Sequence, residues 1–307
     1  MESMLVFLLA GTLTAATPLL LAAIGELIVE RSGILNLSIE GMMALGAVVG
    51  FAAIMATGSH WLALFAGGLA GVALAALFAA VVLLALGNQV ATGIAVGILG
   101  LGLSGVIGTP YEGMTVVPMK RLPIPFLSDI PIVGPGLFNH SLLVYLAPLL
   151  ALTTWWMLRS TKVGLVIRAV GEAPESAHAI GYSVLATRFL TILFGGFLAG
   201  LAGAFISTVS ATLWSDGMIA GRGWIVVALV VFAAWRVDRL VIGAWLFGLA
   251  TIAELLVQGM GISVPSQLLT SVPYIATIIA ISLLSMDGRK MRLNAPASLG
   301  RTYNSTA

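Results

Sequence analysis

The chain has 307 residues, of which 60% are hydrophobic and 8% are charged, and its mean hydropathy is +1.10. Soluble domains carry about 25% charged residues, so this composition excludes a water-soluble globular protein and indicates one embedded in lipid. The lack of cysteine excludes disulfides and thiolate metal sites. The three histidines are isolated in the sequence, so we expect no metal site, and we expect no nucleic-acid partner; the formal net charge of +2 says little by itself.

Nine apolar segments predict an all-α polytopic membrane protein with about nine transmembrane or partly spanning helices. A helix needs about 20 apolar residues to cross the hydrocarbon core. The predicted spans are 5–29, 34–56, 61–86, 90–108, 141–158, 188–212, 223–235, 240–258 and 269–286. The first lacks the basic start of a signal peptide and is interpreted as a span. The seventh is short, so it is either re-entrant or a half-helix whose polar ends lie against protein.

A glycine-rich break occurs early, within SGILNLSIEGMMALGAVVGF at residues 32–51, and an apolar helix follows it. Asn36 and Ser38 at this break either line a solute path or cap the following helix by accepting its free N–H groups. Glu40 is either a functional acid of that path or a favourable negative charge in the first helical turn.

The fourth predicted span and the loop after it carry further candidates. Asn88 and Gln89 precede the span and either cap its helix or belong to the solute path. The following loop, 109–140, is rich in proline, so we expect an extended, semi-rigid cap and no regular helix.

Residues 159–188 form a basic stretch that is too polar to span a membrane. Pro174 is placed to open a short helix and Gly181 to close it. Glu175 then lies in the first turn, where the helix dipole favours a negative charge. From the residues alone, this stretch is either a helix that docks onto a soluble partner or an ordinary solvated loop.

A second glycine-rich break occurs in SDGMIAGRGWIVVALVVFAAW, residues 215–235. Transporters often repeat a broken helix in both halves and place the substrate site there, so 32–41 and 215–224 predict two broken-helix repeats; the alternative is two unrelated loops. Trp224 either stacks on a ring of the solute or anchors the helix at the membrane interface. Glu254, in a later span, either pairs with a buried partner or faces the vestibule.

The basic residues predict the orientation. With the C-terminus inside, the inner loops hold eleven Lys and Arg residues and the outer loops hold three. The positive-inside rule then places 159–188 and the C-terminus in the cytoplasm. We therefore predict a transmembrane domain at 1–286 and a basic cytoplasmic tail at 287–307, in which disorder follows the basic residues.

Five segments carry a family resemblance: GELIVERSGILNLSIEGMMALGAVVGF (25–51), GNQVATGIAVGILGLGLS (87–104), GLVIRAVGEAPESAHAIG (164–181), GGFLAGLAGAFIS (195–207) and AGRGWIVVALVVFAAWR (220–236). They resemble the permease family of ABC importers that includes branched-chain amino acid and ribose permeases, in particular its nucleoside and simple-sugar branch. They run through most of the chain in the family's order, and 25–51 is specific to this branch. Val237 departs from the family pattern, which often has proline there, so the helix break at that point is in question.

The resemblance implies the permease subunit of an ATP-driven importer in a bacterial inner membrane, with no enzymatic activity and no cofactor of its own. Its implied partners are cytoplasmic ATPase subunits that use ATP and Mg²⁺, a second permease subunit that is commonly a related chain, an extracytoplasmic solute-binding protein and membrane lipid. The chain itself has no G-x-x-x-x-G-K-[ST] motif. Residues 164–181 match the family's ATPase-docking segment, and the candidate coupling residues are Arg168, Gly171, Glu172, Pro174, Glu175, Ala177, His178 and Gly181.

The predicted path carries few charges, which indicates a neutral polar solute. The likeness of residues 25–51 favours nucleosides, with a simple sugar as the alternative. A self-contained ion-coupled secondary transporter is the other hypothesis, and Glu40 and Glu254 would be its coupling acids.

Overall fold

The computed structural model describes residues 2–259, 271, 275 and 294–304, and this part of the chain is almost entirely helical. The helices are α1 (Glu2–Arg31), α2 (Ile39–Thr57), α3 (His60–Ala79), α4 (Gln89–Gly108), α5 (Val133–Leu137), α6 (Leu142–Ser160), α7 (Lys162–Glu172), α8 (Pro174–Ala179), α9 (Val184–Phe205), α10 (Arg222–Phe232) and α11 (Val237–Gly259). Single π-helical stretches, Ala80–Leu84 and Ile206–Ser210, extend α3 and α9. A 3₁₀ turn, Thr109–Tyr111, follows α4.

Seven helices of the described residues are long and apolar enough to cross a membrane: α1, α2, α3, α4, α6, α9 and α11. They coincide with seven predicted spans, which confirms the all-α polytopic class. The predicted short segment at 223–235 is α10, with only eleven residues. The predicted span at 269–286 lies outside the described residues except for positions 271 and 275.

Irregular chain separates α1 from α2 and α9 from α10, as the two predicted breaks require. We call residues 32–38 the first break and residues 211–221 the second break. A third interruption occurs at 233–236, where Ala234 and Trp235 have φ angles of 49° and 55°. The helix is therefore interrupted here even though Val237 stands where the family often has proline. Val237 is the first residue of α11.

Helix α9 lies at the centre of the bundle and packs against α1, α2 and α3, and α2 also packs against α3. Small residues lie at these contacts. A methyl group on Gly71 would collide with the carbonyl of Gly196, and one on Gly46 would collide with the carbonyl of Gly200. Because helix association in a membrane depends on van der Waals contact, such glycines let the helix backbones approach closely. The first break, which precedes α2, and the start of the second, which follows α9, thus adjoin tightly packed helices.

The loop after α4 is mostly irregular, as its prolines predict, but the expectation of no regular helix is wrong for Val133–Leu137, which forms the short helix α5. Two short strands, β1 (Leu122–Pro123) and β2 (Asn139–His140), pair antiparallel within it. The start of the loop also pairs with the second break: Gly113 N–H donates to the Trp214 carbonyl at 3.0 Å, and Val116 N–H donates to the Thr212 carbonyl at 3.0 Å.

The tail differs from its prediction. The sequence predicts disorder beyond the basic residues, but 294–304 folds back onto the helices, with Ser298 and Tyr303 buried. The physical reason is that its backbone finds partners: Ser298 N–H donates to the Gly171 carbonyl at 3.0 Å, and Gly300 N–H donates to the Gly33 carbonyl at 3.2 Å.

Candidate solute path and coupling segment

The side chain of Glu40 joins the two breaks. Glu40 lies in the first turn of α2 and is only 5% exposed. One carboxylate oxygen accepts the N–H of Gly221 at 2.8 Å, and the other accepts the N–H of Gly223 at 2.6 Å. Gly221 is the residue that caps α10, and Gly223 lies in its first turn. We call this arrangement the Glu40 joint.

Local backbone geometry makes the joint possible. Gly221 has a φ of 82°, a left-handed conformation that glycine adopts without steric cost. Gly223 packs directly on the backbone of Glu40, where a larger side chain would collide with it. Since the N-terminal end of a helix carries a partial positive charge, one carboxylate between the starts of α2 and α10 is electrostatically favourable for both. Glu40 thus lies in the first turn of α2, as one of its two interpretations requires, and it also binds the start of α10.

Asn36 and Ser38 satisfy the first break itself. The Asn36 side-chain oxygen accepts both the N–H and the hydroxyl of Ser38, and Asn36 N–H donates to Glu26 at 3.3 Å. No side chain caps α2, so the capping interpretation of both residues is wrong. Both are at most 1% exposed, so neither faces an open path in this conformation.

Asn88 and Gln89 have different roles: Asn88 caps a helix, and Gln89 bridges two segments. The Asn88 side chain accepts the N–H of Ala91 at 3.0 Å, which confirms it as the cap of α4. Gln89 is buried and instead bridges two segments: its oxygen accepts Leu35 N–H at 2.8 Å, and its nitrogen donates to the Arg301 carbonyl at 3.2 Å. Gln89 thus supports the first break from the side.

Trp224 and Glu254 are not part of the joint's hydrogen bonds. Trp224 follows Gly223 in the first turn of α10, but its side chain is 45% exposed. Glu254 lies on α11 and accepts the side-chain N–H of Gln258 at 3.2 Å, one turn along the same helix. The structure therefore brings together Glu40 and the N-terminus of α10, and it places Glu254 on a different helix.

A cavity of about 430 Å³ lies next to the joint. It is bounded by α2, α4 and the second break, and its lining includes Ala44, Ser104, Gly105, Trp214, Asp216 and Ile219. Among the described residues of this lining, Asp216 is the one ionisable group. Small-molecule sites are usually concave and mostly apolar with a few polar groups. Ala44 lies one turn after Glu40, so the cavity and the joint share a wall.

Two buried acids were missed by the sequence analysis. Glu26 and Glu30 are one turn apart on α1 and at most 1% exposed. Glu26 accepts the backbone N–H of Asn36, and Glu30 accepts the indole N–H of Trp235 at 2.5 Å. Their spacing of four residues within an apolar helix places them on one face, and that spacing was the available signal.

The segment α7–α8 has the predicted form. Pro174 is the first residue of α8, and Gly181, with a φ of 92°, follows its end. The candidate coupling residues divide by burial. Gly171, Pro174 and Ala177 are buried, Arg168 is half-buried, and Glu172, Glu175, His178 and Gly181 are exposed. Ala177 packs with Val170, Val184 and Tyr303 and so faces the protein itself.

The chain is similar to known proteins over the residues that form this site. Residues 8–282 match the family described as "Branched-chain amino acid transport system / permease component". A protein of Haloferax volcanii provisionally named a glucose ABC transporter permease is 39% identical, with 97% of each chain covered. A guanosine ABC transporter permease of Bacillus subtilis is 31% identical, with 95% of each chain covered.

A nucleoside ABC transporter permease of Lactococcus lactis is 30% identical, with 90% of this chain and 91% of the relative covered. No solved structure matches the chain. The family match spans both breaks and the α7–α8 segment, and it confirms the resemblance drawn from the five segments.

Proposed function

The chain belongs to the branched-chain amino acid transport permease family, and we propose that it is an ABC importer permease whose solute crosses beside the Glu40 joint. The proposed position of the solute path is supported by the hydrogen bonds of Glu40, which join α2 to the start of α10. Backbone that is broken at membrane depth is tolerated where it lines a cavity or is buried in protein. One break here is buried and the other borders a cavity.

The solute we propose is a nucleoside. Two relatives at 31% and 30% identity are named for guanosine and nucleoside transport. The lining of the cavity beside the joint is largely apolar, which suits a neutral molecule better than a highly charged one. A permease needs to bind its solute only weakly, because the solute must leave on the other side.

A simple sugar is the second candidate. The observation that favours it is the 39% identity to the Haloferax volcanii protein with a glucose name. Both candidates contain a sugar ring with several hydroxyl groups. An exposed carboxylate such as Asp216 can accept hydrogen bonds from hydroxyls of either.

Transport is driven by partners. We propose that two cytoplasmic ATPases use ATP and Mg²⁺, that a second permease subunit completes the path, and that an extracytoplasmic binding protein delivers the solute. The α7–α8 segment and the C-terminal tail lie in the cytoplasm of a bacterial inner membrane in this proposal. Its support is the excess of Lys and Arg in the corresponding loops.

Uptake into proteoliposomes tests the solute and the energy source. The complex co-expressed from neighbouring genes is reconstituted with the binding protein outside and ATP inside. We expect ATP-dependent uptake of labelled guanosine that unlabelled glucose does not compete. If the complex takes up glucose and not guanosine, the solute is a sugar and the nucleoside proposal is wrong. Uptake by this chain without an ATPase, driven by an ion gradient, would refute the proposal of an ABC importer.

Co-purification tests the docking segment. Ile180 directly follows α8 and is 72% exposed, which suits contact with a partner. Ile180→Asp should release the ATPase from the solubilised complex. Val117→Asp is the matched control, because Val117 is 79% exposed in the loop after α4. Full retention of the ATPase by Ile180→Asp would remove α8 from the docking surface.

A further inference from the structure

Arg188, near the start of α9, is buried although it carries a charge. It is 1% exposed, and within the described part of the chain its guanidinium donates to three oxygens. These are the Ser32 carbonyl at 3.1 Å, the Ser298 hydroxyl at 3.0 Å and the Arg301 carbonyl at 3.5 Å. All three are neutral acceptors, one from the first break and two from the tail. A buried cation is costly unless its hydrogen bonds are satisfied, so this position depends on the tail being in place.

Ser298 connects Arg188 to the end of α7. Its hydroxyl accepts from Arg188 and donates to the Gly171 carbonyl at 2.7 Å. Gly33 of the first break lies against the same group, since a methyl group there would collide with the Ser298 hydroxyl and approach Arg188. The first break, α7, α9 and the tail therefore meet at one point.

The rest of the tail extends this contact in two directions. Toward α8, the Tyr303 ring lies 6.3 Å from the His178 ring and 5.9 Å from the Arg188 guanidinium, measured to ring centroids. Toward the first break, the Arg301 carbonyl accepts from Gln89, which in turn holds Leu35 N–H. One strip of chain thus contacts the helix proposed to dock the ATPase and also contacts the first break, which leads into α2.

We propose that residues 294–304 form a mechanical link that transmits movement of α7–α8 to the first break, with Arg188 and Ser298 as positioning residues. The inference rests on the proposed docking of an ATPase at α8. Networks of buried hydrogen bonds behave as units, so a displacement of α8 that moves Tyr303 also moves the acceptors of Arg188. The tail is then part of the coupling path between ATP hydrolysis and the solute path.

A purely structural role for the tail would change melting and assembly, whereas a link changes the amount of solute moved per ATP. Arg188→Lys keeps the charge but loses the planar, multidentate donor set. Ser298→Ala removes only the hydroxyl. The matched controls are Arg159→Lys and Thr302→Ala, since Arg159 and Thr302 are exposed.

The test measures guanosine uptake and ATP hydrolysis together in the reconstituted complex. We expect Ser298→Ala and Arg188→Lys to retain the ATPase and hydrolyse ATP, with solute per ATP lowered about fivefold, within the range for one position in a coupling network. The controls should match the wild type.

A solute-to-ATP ratio within twofold of wild type for Ser298→Ala would overturn the link, whether or not Arg188→Lys folds. Loss of the ATPase from the Ser298→Ala complex would overturn it as well, because the tail would then belong to the docking surface. Failure of the proposed docking is recognised separately, by Ile180→Asp retaining the ATPase.

Discussion

The first and second breaks each contain glycine and each precede an apolar helix, yet the protein holds them differently. Five of the seven residues of the first break are buried, and side chains from α1, α4 and α9 bind its backbone. In the second break only Trp214 and Ile219 are buried. The two breaks are therefore not equivalent parts: the first is buried and bonded to three helices, whereas the second is more exposed and is bonded to Glu40 and to the loop after α4.

The largest expected effect is a difference in stability loss between glycine substitutions in the two breaks. Gly33 has a φ of 92° and lies against Ser298, whereas Gly217 has a φ of 69° and open space around it. Gly33→Ala should cost about 4 kcal/mol, from left-handed strain together with overpacking. Gly217→Ala should cost only the strain, about 1–2 kcal/mol. Denaturant unfolding in micelles measures both, and equal losses would remove the distinction between the breaks.

Two acids that bind the second break give the next contrast. Glu40 is buried and accepts two backbone N–H groups, while exposed Glu112 accepts one, from Asp216 at 3.0 Å. Glu40→Ala leaves two donors without their acceptor and should cost about 3 kcal/mol. Glu112→Ala should stay within about 0.5 kcal/mol of wild type, as exposed substitutions usually do. A larger loss for Glu112→Ala than for Glu40→Ala would contradict the joint.

Much of this arrangement could be predicted from local sequence. Pro174 and Gly181 bound α8, Asn88 caps α4, and the spans follow runs of apolar residues, because each depends on residues within a few positions. The partners of Glu40 could not be predicted, since they lie 181 and 183 residues away.

The link through Arg188 was invisible for a similar reason. Ser298 lies 110 residues further along the chain, and a basic tail is typical of a solvated segment. Only the fold shows that the tail is buried there. Contacts between distant segments leave no repeating pattern in a single sequence. Neither the Glu40 joint nor the link through Arg188 could therefore be recognised from the sequence.

A smaller effect is expected inside the first break. Asn36 is buried and bonded to Ser38, so Asn36→Leu should lower stability by about 1–2 kcal/mol through loss of these hydrogen bonds. Uptake per folded complex should stay near wild type, because the side chain does not face the cavity. Melting and uptake measured on one preparation separate the two, and lost uptake at unchanged melting temperature would return Asn36 to the solute path.

The mildest perturbation is a labelled cysteine, since the native chain has none. Asp216→Cys, in the exposed part of the second break, should react rapidly with a small maleimide. Ser38→Cys, fully buried in the first break, should react far more slowly. Comparable rates at the two positions would mean that the first break opens as readily as the second.

The most direct test of the account is guanosine uptake per folded complex for Glu40→Gln beside Glu112→Gln. The substitution keeps the size of Glu40 but removes the charge between the two helix starts. If the joint positions the second break at the solute path, Glu40→Gln should lower the uptake rate by about tenfold, equivalent to about 1.4 kcal/mol in the barrier. Glu112→Gln should leave the rate near wild type. A normal rate for a folded Glu40→Gln complex would contradict the central claim.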